Sequence, residues 1–506
     1  MFADSPPGAI ELPDASVPVT GITLDSRTVT QGDLYVALSG SRTHGASFAA
    51  GAVERGAVAI LTDEAGRSQA EATGVPVVVA RDARATMADA AAVLFGRPGD
   101  ELLMFGLTGT NGKTTTTFLL EAALAAGGRR VGTIGTNGFR LDAQELPSNR
   151  TTVTTPESPD LQALLAVMRE RGAQCVAMEV SSHALALQRV ERITFDVAGF
   201  TNLGRDHLDF HPTMEDYFEA KALLFEPERC RIAVVNTDDP HGQELARRIT
   251  ERGQVRLETT GMADSDHQII ATRPQGPGTW IHYRGPQGER EFTIDLPGDY
   301  NARNAVMAVA MATAAGVELD EAIAGVAHAQ VPGRMQLVRL DGEQAPTVYV
   351  DFAHTPQAIE QAVRSARPGP GGRIVVVTGA GGDRDSAKRA PMGAAAASGL
   401  GIVVVTDDNP RTEDPSAIRA AVAEGARAAG QAEVVEVQDG RRAAIRRALE
   451  LAGPADVVLV LGKGHEKGQI VGTTIHDFVD VDVVHEQWKL LVGAAQGTGD
   501  EQREVH

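Results

Sequence analysis

Gly109-Thr110-Asn111-Gly112-Lys113-Thr114-Thr115 packs two glycines, a lysine and three hydroxyls into seven residues. Phosphate binding is the chemistry such a run supports. Backbone N–H groups and a helix N-terminus converge on the anion, the lysine neutralises it, and the hydroxyl after the lysine is placed to ligate magnesium. The general phosphate-loop pattern wants glycine five residues before Gly112, where Leu107 stands. The apolar run Leu102-Leu103-Met104-Phe105-Gly106-Leu107 reads as a buried strand, and Phe118-Leu119-Leu120-Glu121-Ala122-Ala123-Leu124 reads as a helix. This strand–turn–helix setting makes the run a nucleotide site rather than a simple turn.

Other chemistry-bearing clusters follow apolar runs. Glu179 leaves Cys175-Val176-Ala177-Met178 and precedes Ser181-Ser182-His183; it could hold magnesium, or the serines could merely cap a helix. Thr201-Asn202-Leu203-Gly204-Arg205-Asp206-His207-Leu208-Asp209 is rich in metal-capable groups, but also reads as a polar loop. Lys221, in Tyr217-Phe218-Glu219-Ala220-Lys221-Ala222-Leu223-Leu224-Phe225, reads on spacing as a lysine snorkelling from a helix. The hydroxyl-rich stretch Asn149-Arg150-Thr151-Thr152-Val153-Thr154-Thr155-Pro156 suits phosphate or sugar, or is only a loop. Further on, Gly379-Ala380-Gly381-Gly382-Asp383-Arg384, Asp407-Asp408-Asn409-Pro410-Arg411 and Gly462-Lys463-Gly464-His465-Glu466 follow three apolar runs. Together they mix acids, bases and amides. A zwitterion such as an amino acid needs both signs: arginine forks for its carboxylate and carboxylates for its ammonium.

The elements that must position these residues read as α/β. Residues 18–100 alternate short apolar runs (34–38, 58–61, 75–79) with alanine-rich helical stretches, up to a turn-rich boundary at Gly96-Arg97-Pro98-Gly99. Strands at 102–107, 175–180, 197–200 and 232–236, separated by helices, predict a doubly wound sheet. Residues 265–296 alternate polar and apolar side chains, as an antiparallel insert would. Runs at 347–351, 373–377, 401–405 and 456–461 predict another α/β unit, followed from Val492 by a polar, mobile tail. No internal repeat is visible.

The formal net charge of −20 argues against a nucleic-acid or anionic-membrane surface. Lysines are scarce: Lys113, Lys221, Lys388, Lys463, Lys467 and Lys489. Cys175 and Cys230 are the only cysteines and support neither a disulfide framework nor a cysteine zinc site. The start, Met1-Phe2-Ala3-Asp4-Ser5-Pro6-Pro7, lacks the basic and apolar regions of a signal peptide, and no run reaches a membrane-spanning length. A soluble cytoplasmic protein without membrane insertion is expected.

Together these segments resemble the Mur ligase family, in particular its MurE-type UDP-N-acetylmuramoyl-dipeptide ligases of peptidoglycan synthesis. The resemblance runs from about Gly21 to Val479. It rests on Gly109–Thr114, Glu179–His183, Thr201–Asp209, Gly333-Arg334-Met335, Asp351-Phe352-Ala353-His354-Thr355-Pro356 and Gly462–Glu466. Phe352 stands where tyrosine is common, and Gly204 where serine is. The resemblance also accounts for the Leu107 mismatch as a family trait.

What it implies is an α/β protein of three domains: a small N-terminal α/β UDP-binding domain (1–100), a central P-loop doubly wound ATPase domain (101–335) and a C-terminal Rossmann-like α/β domain binding the amino acid (336–506). The implied reaction joins meso-diaminopimelate to the D-glutamate of UDP-MurNAc-L-Ala-D-Glu through an acyl phosphate. It uses ATP as co-substrate and two Mg2+ ions, with no nucleic-acid partner and a monomeric enzyme expected. Closure of the C-terminal domain before chemistry is also expected. The resemblance assigns ATP contacts to Gly109, Thr110, Asn111, Gly112, Lys113, Thr114, Thr115, Asn304, Arg334 and Asp351. It assigns magnesium to Thr114, Glu179, His207 and Lys221, the last as a carbamate (N6-carboxylysine). Lys113, Glu179, His207 and Lys221 form the implied catalytic set. UDP-sugar dipeptide contacts fall on Ser26, Thr154, Thr155, Ser181 and Arg189. Diaminopimelate contacts fall on Arg384, Asn409, Pro410, Arg411, Gly462 and Glu466, with Arg411 on the distal carboxylate that lysine lacks. Alternatives are the same ligase using L-lysine, a folylpolyglutamate- or cyanophycin-type ligase, and a noncatalytic nucleotide-binding module, which would leave Glu179, His207 and Lys221 unexplained.

Overall fold

The computed structural model describes residues 10–11, 16–40, 42–147, 154–399 and 401–500, with side chains to residue 493. The segment Met1–Pro7 and the stretch Asn149–Val153 of the hydroxyl-rich loop lie outside the described residues. The chain divides into two compact units: residues 1–269, 284–288 and 304–326 form one, and residues 270–283, 289–303 and 327–506 the other.

The first unit begins with a five-stranded sheet ordered Ile10–Glu11, Val77–Ala80, Ala59–Thr62, Asp33–Ala37 and Gly21–Thr23, parallel except for its first strand. The three expected apolar runs supply its middle strands, and each face carries its own apolar cluster. The central sheet runs Arg256–Gly261, Cys230–Asn236, Phe195–Phe200, Leu103–Thr108, Cys175–Glu179 and Val131–Gly135, all parallel, then Gly138–Leu141 and Gln144–Glu145 antiparallel. Met104, Phe105, Leu107, Val176, Met178 and Phe200 are fully buried in it, each stabilising by about 1.5–3 kcal/mol relative to exposure. Continuous apolar runs are what a sheet covered on both faces requires.

Two parallel strands of the central sheet escaped the sequence reading, Val131–Gly135 and Arg256–Gly261, as did its short antiparallel strands Gly138–Leu141 and Gln144–Glu145. The segment expected as an insert forms strands His267–Gln275, Gly278–Gly285 and Gly288–Ile294, which extend the central sheet past Arg256–Gly261 rather than standing apart.

In the second unit a six-stranded sheet is ordered Gln336–Val338, Thr347–Asp351, Val457–Leu461, Ile374–Thr378, Gly401–Val405 and Glu433–Glu436, parallel except for its first strand. Residues alternate between two cores, with Val376 and Leu459 on one face and Val375, Val377, Val458 and Val460 on the other. Instead of the loose tail expected from Val492, a helix runs over Asp480–Asp500.

Candidate active site

Strand Leu103–Thr108 lies between Phe195–Phe200 and Cys175–Glu179, so the segments leaving these three strands meet at one sheet edge. Ligands of open α/β sheets bind there. The loop after the first of these strands is Gly109–Gly112, and helix Lys113–Ala126 begins at Lys113. Gly112 has φ 88°, and a Cβ there would come within 2.5 Å of Asn304 Oδ1, so Asn304 abuts the loop. Thr201 Oγ1 (2.6 Å) and Asn202 Nδ2 (3.0 Å) donate to the Asn111 carbonyl, while the Asn111 N–H donates to Asn202 Oδ1 (3.0 Å). Lys113 Nζ folds onto the carbonyls of Gly109 (2.8 Å) and Thr110 (3.0 Å). Thr114 and Thr115 are buried on the first helical turn.

Glu179 is 1% exposed. Its carboxylate accepts from Thr114 Oγ1 (2.9 Å), the Thr136 N–H (2.9 Å) and Thr136 Oγ1 (3.1 Å). Ser181 does cap the helix Ser182–Ala186, donor Ala184 N at 3.1 Å, so the capping reading holds for Ser181 while Glu179 faces the phosphate loop. Among the described residues no cluster of three or more His, Cys, Asp or Glu could hold a metal unaided. The Thr114 hydroxyl and Glu179 carboxylate do fit a hard cation that takes its remaining oxygens from phosphate and water.

Lys221 does not snorkel: it is 1% exposed. Its Nζ donates to the Gly109 carbonyl (2.9 Å) and lies 4.4 Å from the centre of the Tyr217 ring, one helical turn back. Burial holds its amine well below the ordinary lysine value, the Lys113 charge adds to this, and Asp206 opposes it. Tyr217 OH and Thr110 Oγ1 share a hydrogen bond at 3.2 Å, joining the lysine's helix to the loop. His207 is exposed, with φ 53°, and its ring packs edge-on to His183 at 4.8 Å, in a cluster that includes Phe210 and His211.

Thr154, Thr155, Ser181 and Arg189 gather beside Glu179. Thr154 and Thr136 hydroxyls share a hydrogen bond at 3.2 Å. Thr155 Oγ1 donates to the Glu179 carbonyl (2.9 Å) and accepts from the Ser181 N–H (3.1 Å). Arg189 donates to Glu157 (2.8 Å) and to the Thr155 carbonyl (3.1 Å). Ser26 is half-buried just after strand Gly21–Thr23, in the N-terminal sheet region.

In the second unit, Asp351 ends strand Thr347–Asp351 and accepts from the N–H groups of Met335 (2.6 Å) and Ala353 (2.7 Å). Burial raises its carboxyl pKa, against the pull of the Arg334 charge and those two N–H groups. The Arg334 guanidinium lies 4.9 Å from the Phe352 ring centre. The three polar turns follow adjacent strands of one sheet. Arg411 Nη1 donates to the Gly382 carbonyl (2.7 Å), and Asn409 Nδ2 donates to Glu466 Oε2 (2.9 Å). Gly462 has φ 115°, and a Cβ there would lie 2.7 Å from Asp408 Oδ2. Pro410 is buried, Arg411 half-buried and Arg384 exposed.

Sequence reasoning missed Thr136, Tyr217 and the groups that the Lys463 ammonium bonds. Thr136 follows a strand of small residues, a weak signal. Tyr217 was findable from its four-residue spacing to Lys221.

Three family descriptions match: "Mur ligase family, catalytic domain" over residues 18–93, "Mur ligase middle domain" over 107–312 and "Mur ligase, glutamate ligase domain" over 333–464. A relative from Streptomyces coelicolor, UDP-N-acetylmuramoyl-L-alanyl-D-glutamate--2,6-diaminopimelate ligase, is 46% identical, covering 96% of this chain and 95% of its own. A solved structure of a ligase of that name is 32% identical with TM-score 0.69, covering 94% and 97%. The MurF ligase from Thermotoga maritima in complex with ADP, 19% identical, shares the fold with TM-score 0.59 over 94% and 98%. Whole-length identity at this level, with all three domain descriptions in order, establishes that the chain belongs to the Mur ligase family.

Proposed function

We propose that this chain is the ATP-dependent amide ligase that adds meso-diaminopimelate to the D-glutamate of UDP-MurNAc-L-Ala-D-Glu in cytoplasmic peptidoglycan precursor synthesis. The observation that carries the choice of amine is the sheet edge where Arg411 stands with Asn409 and Glu466. Diaminopimelate has two ammoniums and two carboxylates; Arg411 supplies a fork for the distal carboxylate, and Glu466 suits an ammonium. L-lysine is not favoured, because it lacks that carboxylate and because the Streptomyces relative and the solved ligase are both named for 2,6-diaminopimelate.

The residues of the first unit divide the remaining work. The Gly109–Thr115 loop binds the ATP phosphates, with Lys113 leaving its two loop carbonyls to meet them and Asn304 behind Gly112. The family resemblance assigns ATP contacts to Arg334 and Asp351 as well. Thr114 and Glu179 would hold one Mg2+, and His207 with the carbamate of Lys221 a second. Bound there, the ions would offset the charge that gathers as the γ-phosphoryl passes to the glutamate carboxylate. Thr154, Thr155, Ser181 and Arg189 orient the dipeptide carboxylate, and Ser26 the uridine end. The amine of diaminopimelate then attacks the acyl phosphate and phosphate leaves. Positioning and electrostatics are the protein's main contribution.

Phosphate release from ATP, assayed with each substrate omitted in turn, tests the reading. Release should require both the UDP-sugar dipeptide and diaminopimelate, and L-lysine should replace the latter poorly. Equal release with L-lysine would overturn the choice of amine, and release without any amine would overturn the ligase reading.

A further inference from the structure

Lys463 is one of six lysines in the chain, and the function above gives it no task. Its side chain is 0% exposed. Nζ donates to Glu466 Oε2 (2.9 Å), to Asn409 Oδ1 (3.3 Å) and to the Gly468 carbonyl (2.5 Å). Three segments therefore converge on one ammonium: the loop after Gly401–Val405, the turn after Val457–Leu461, and the hairpin of Gly468–Val471 with Thr474–Asp477.

The hairpin extends the effect to Arg411. The Ile470 N–H donates to Asn409 Oδ1 (2.9 Å), Gln469 Nε2 to the Asp408 carbonyl (2.6 Å), Arg411 N–H to the Ile470 carbonyl (3.1 Å), and Gly472 N–H to the Arg411 carbonyl (2.7 Å). These bonds hold Arg411 at φ 51°, a left-handed conformation costly for a side-chain-bearing residue. They also fix the Asn409 amide, with its oxygen toward two donors and its nitrogen toward the Glu466 carboxylate. Deeper in, the Arg441–Asp480 pair is wholly buried, and Asp408 feels the charges of both Arg441 and Lys463. Charges thus alternate from Asp480 through Arg441, Asp408 and Lys463 to Glu466.

A lysine beneath an ammonium-binding carboxylate would repel the substrate were it not neutralised on both sides. Asp408 and Glu466 do this. In return Lys463 engages one oxygen of Glu466, leaving the other to the incoming amine, and keeps Arg411 and Glu466 at a fixed spacing.

We propose that Lys463 is the positioning residue for amino-acid selection, fixing Glu466 and Asn409 directly and Arg411 through the hairpin. This deepens the ligase reading and rests on it.

The test is the steady-state phosphate-release assay on the full chain with Lys463→Met, which keeps the stem length and removes the charge. The KM for diaminopimelate should rise about ten-fold or more while the KM for ATP stays within about two-fold. A cycle with Glu466→Gln separates positioning from general damage. Because Lys463 acts in part through Glu466, the double variant should lose clearly less than the product of the two single-variant factors. An unchanged diaminopimelate KM, an equal rise in every KM, or single-variant factors that multiply would each overturn the proposal. Should Lys463→Met fail to fold, the wild type carries the test. Burial raises the Glu466 carboxyl, but Lys463 and Asn409 together hold it below its ordinary value. The diaminopimelate KM should therefore stay flat as the pH falls to the ordinary glutamate range of about 4.3, and a rise centred there would overturn the role. A wild type showing no diaminopimelate-dependent release defeats the ligase reading itself; an active wild type with an indifferent Lys463→Met variant defeats only this inference.

Discussion

A lysine amine that is 1% exposed and faces a neighbouring lysine loses its proton far more readily than one in water. The neutral amine is the form that attacks carbon dioxide: an N–C bond forms, a proton leaves, and a cation becomes an anionic carbamate. At Lys221 that change would supply the oxygen ligands a magnesium ion prefers. Lys221→Ala should therefore abolish phosphate release, and short carboxylates such as formate or acetate should restore part of it. Full activity without rescue would remove the carbamate from the mechanism. Arg411 poses a different question, because a guanidinium fork meets a carboxylate with two parallel bonds and an ammonium cannot. Hydrogen bonds to charged groups contribute about 1.5–3 kcal/mol, so Arg411→Lys or Arg411→Ala should raise the diaminopimelate KM roughly ten- to hundred-fold. The KM for ATP should hold. If preference for diaminopimelate over L-lysine survives the change, the distal carboxylate is read elsewhere.

At the scale of elements, the phosphate loop works because only residues 109–112 separate the end of one strand from the start of one helix. Gly112 stands at φ 88° with Asn304 where its Cβ would be. Gly112→Ala should cost about 1–2 kcal/mol in backbone strain and in addition push Asn304 aside. Binding of a nonhydrolysable ATP analogue, measured by calorimetry, should weaken at least about ten-fold. Undiminished binding would mean the nucleotide does not depend on this turn. The same packing logic explains which strands were readable. Leu103–Thr108, Cys175–Glu179 and Phe195–Phe200 show as apolar runs because both faces are covered. Val131–Gly135 stayed hidden because its neighbours need it small. A Cβ at Gly135 would collide with the Glu179 carboxylate, and one at Gly132 would lie 2.6 Å from the Met168 sulfur. A strand shaped by what packs on it carries little propensity of its own.

Across the whole molecule, legibility followed distance along the chain. The phosphate loop is contiguous, and its strand and helix flank it, so seven residues revealed it. The Lys463 node joins residues 409, 463 and 468, and only the register of adjacent strands brings them together. The motif was visible in the sequence, but not what its lysine touches. His465, beside it, sets a property of the second unit as a whole. Its ring lies 5.0 Å from Phe352, its Nδ1 is buried without a hydrogen-bond partner, and burial with the nearby Arg334 charge lowers its pKa to about 4. The unfolded chain has an ordinary histidine, titrating near 6.5. Between those two values the unfolded state binds more protons than the folded state, so stability falls as pH falls through the window. From pH 7 to pH 5 the His465 share of that loss should be about 1–2 kcal/mol after allowing for solvent screening. The two tryptophans, Trp280 and Trp488, both belong to the second unit, so their fluorescence during urea unfolding reports on it directly. Raised carboxyl pKa values at Asp351 and Asp408 act in the opposite direction, which makes the difference between proteins the useful quantity. Wild type should lose about 1–2 kcal/mol more than His465→Asn over the same pH step. Equal losses in the two proteins would show that His465 is not what makes this unit acid-labile.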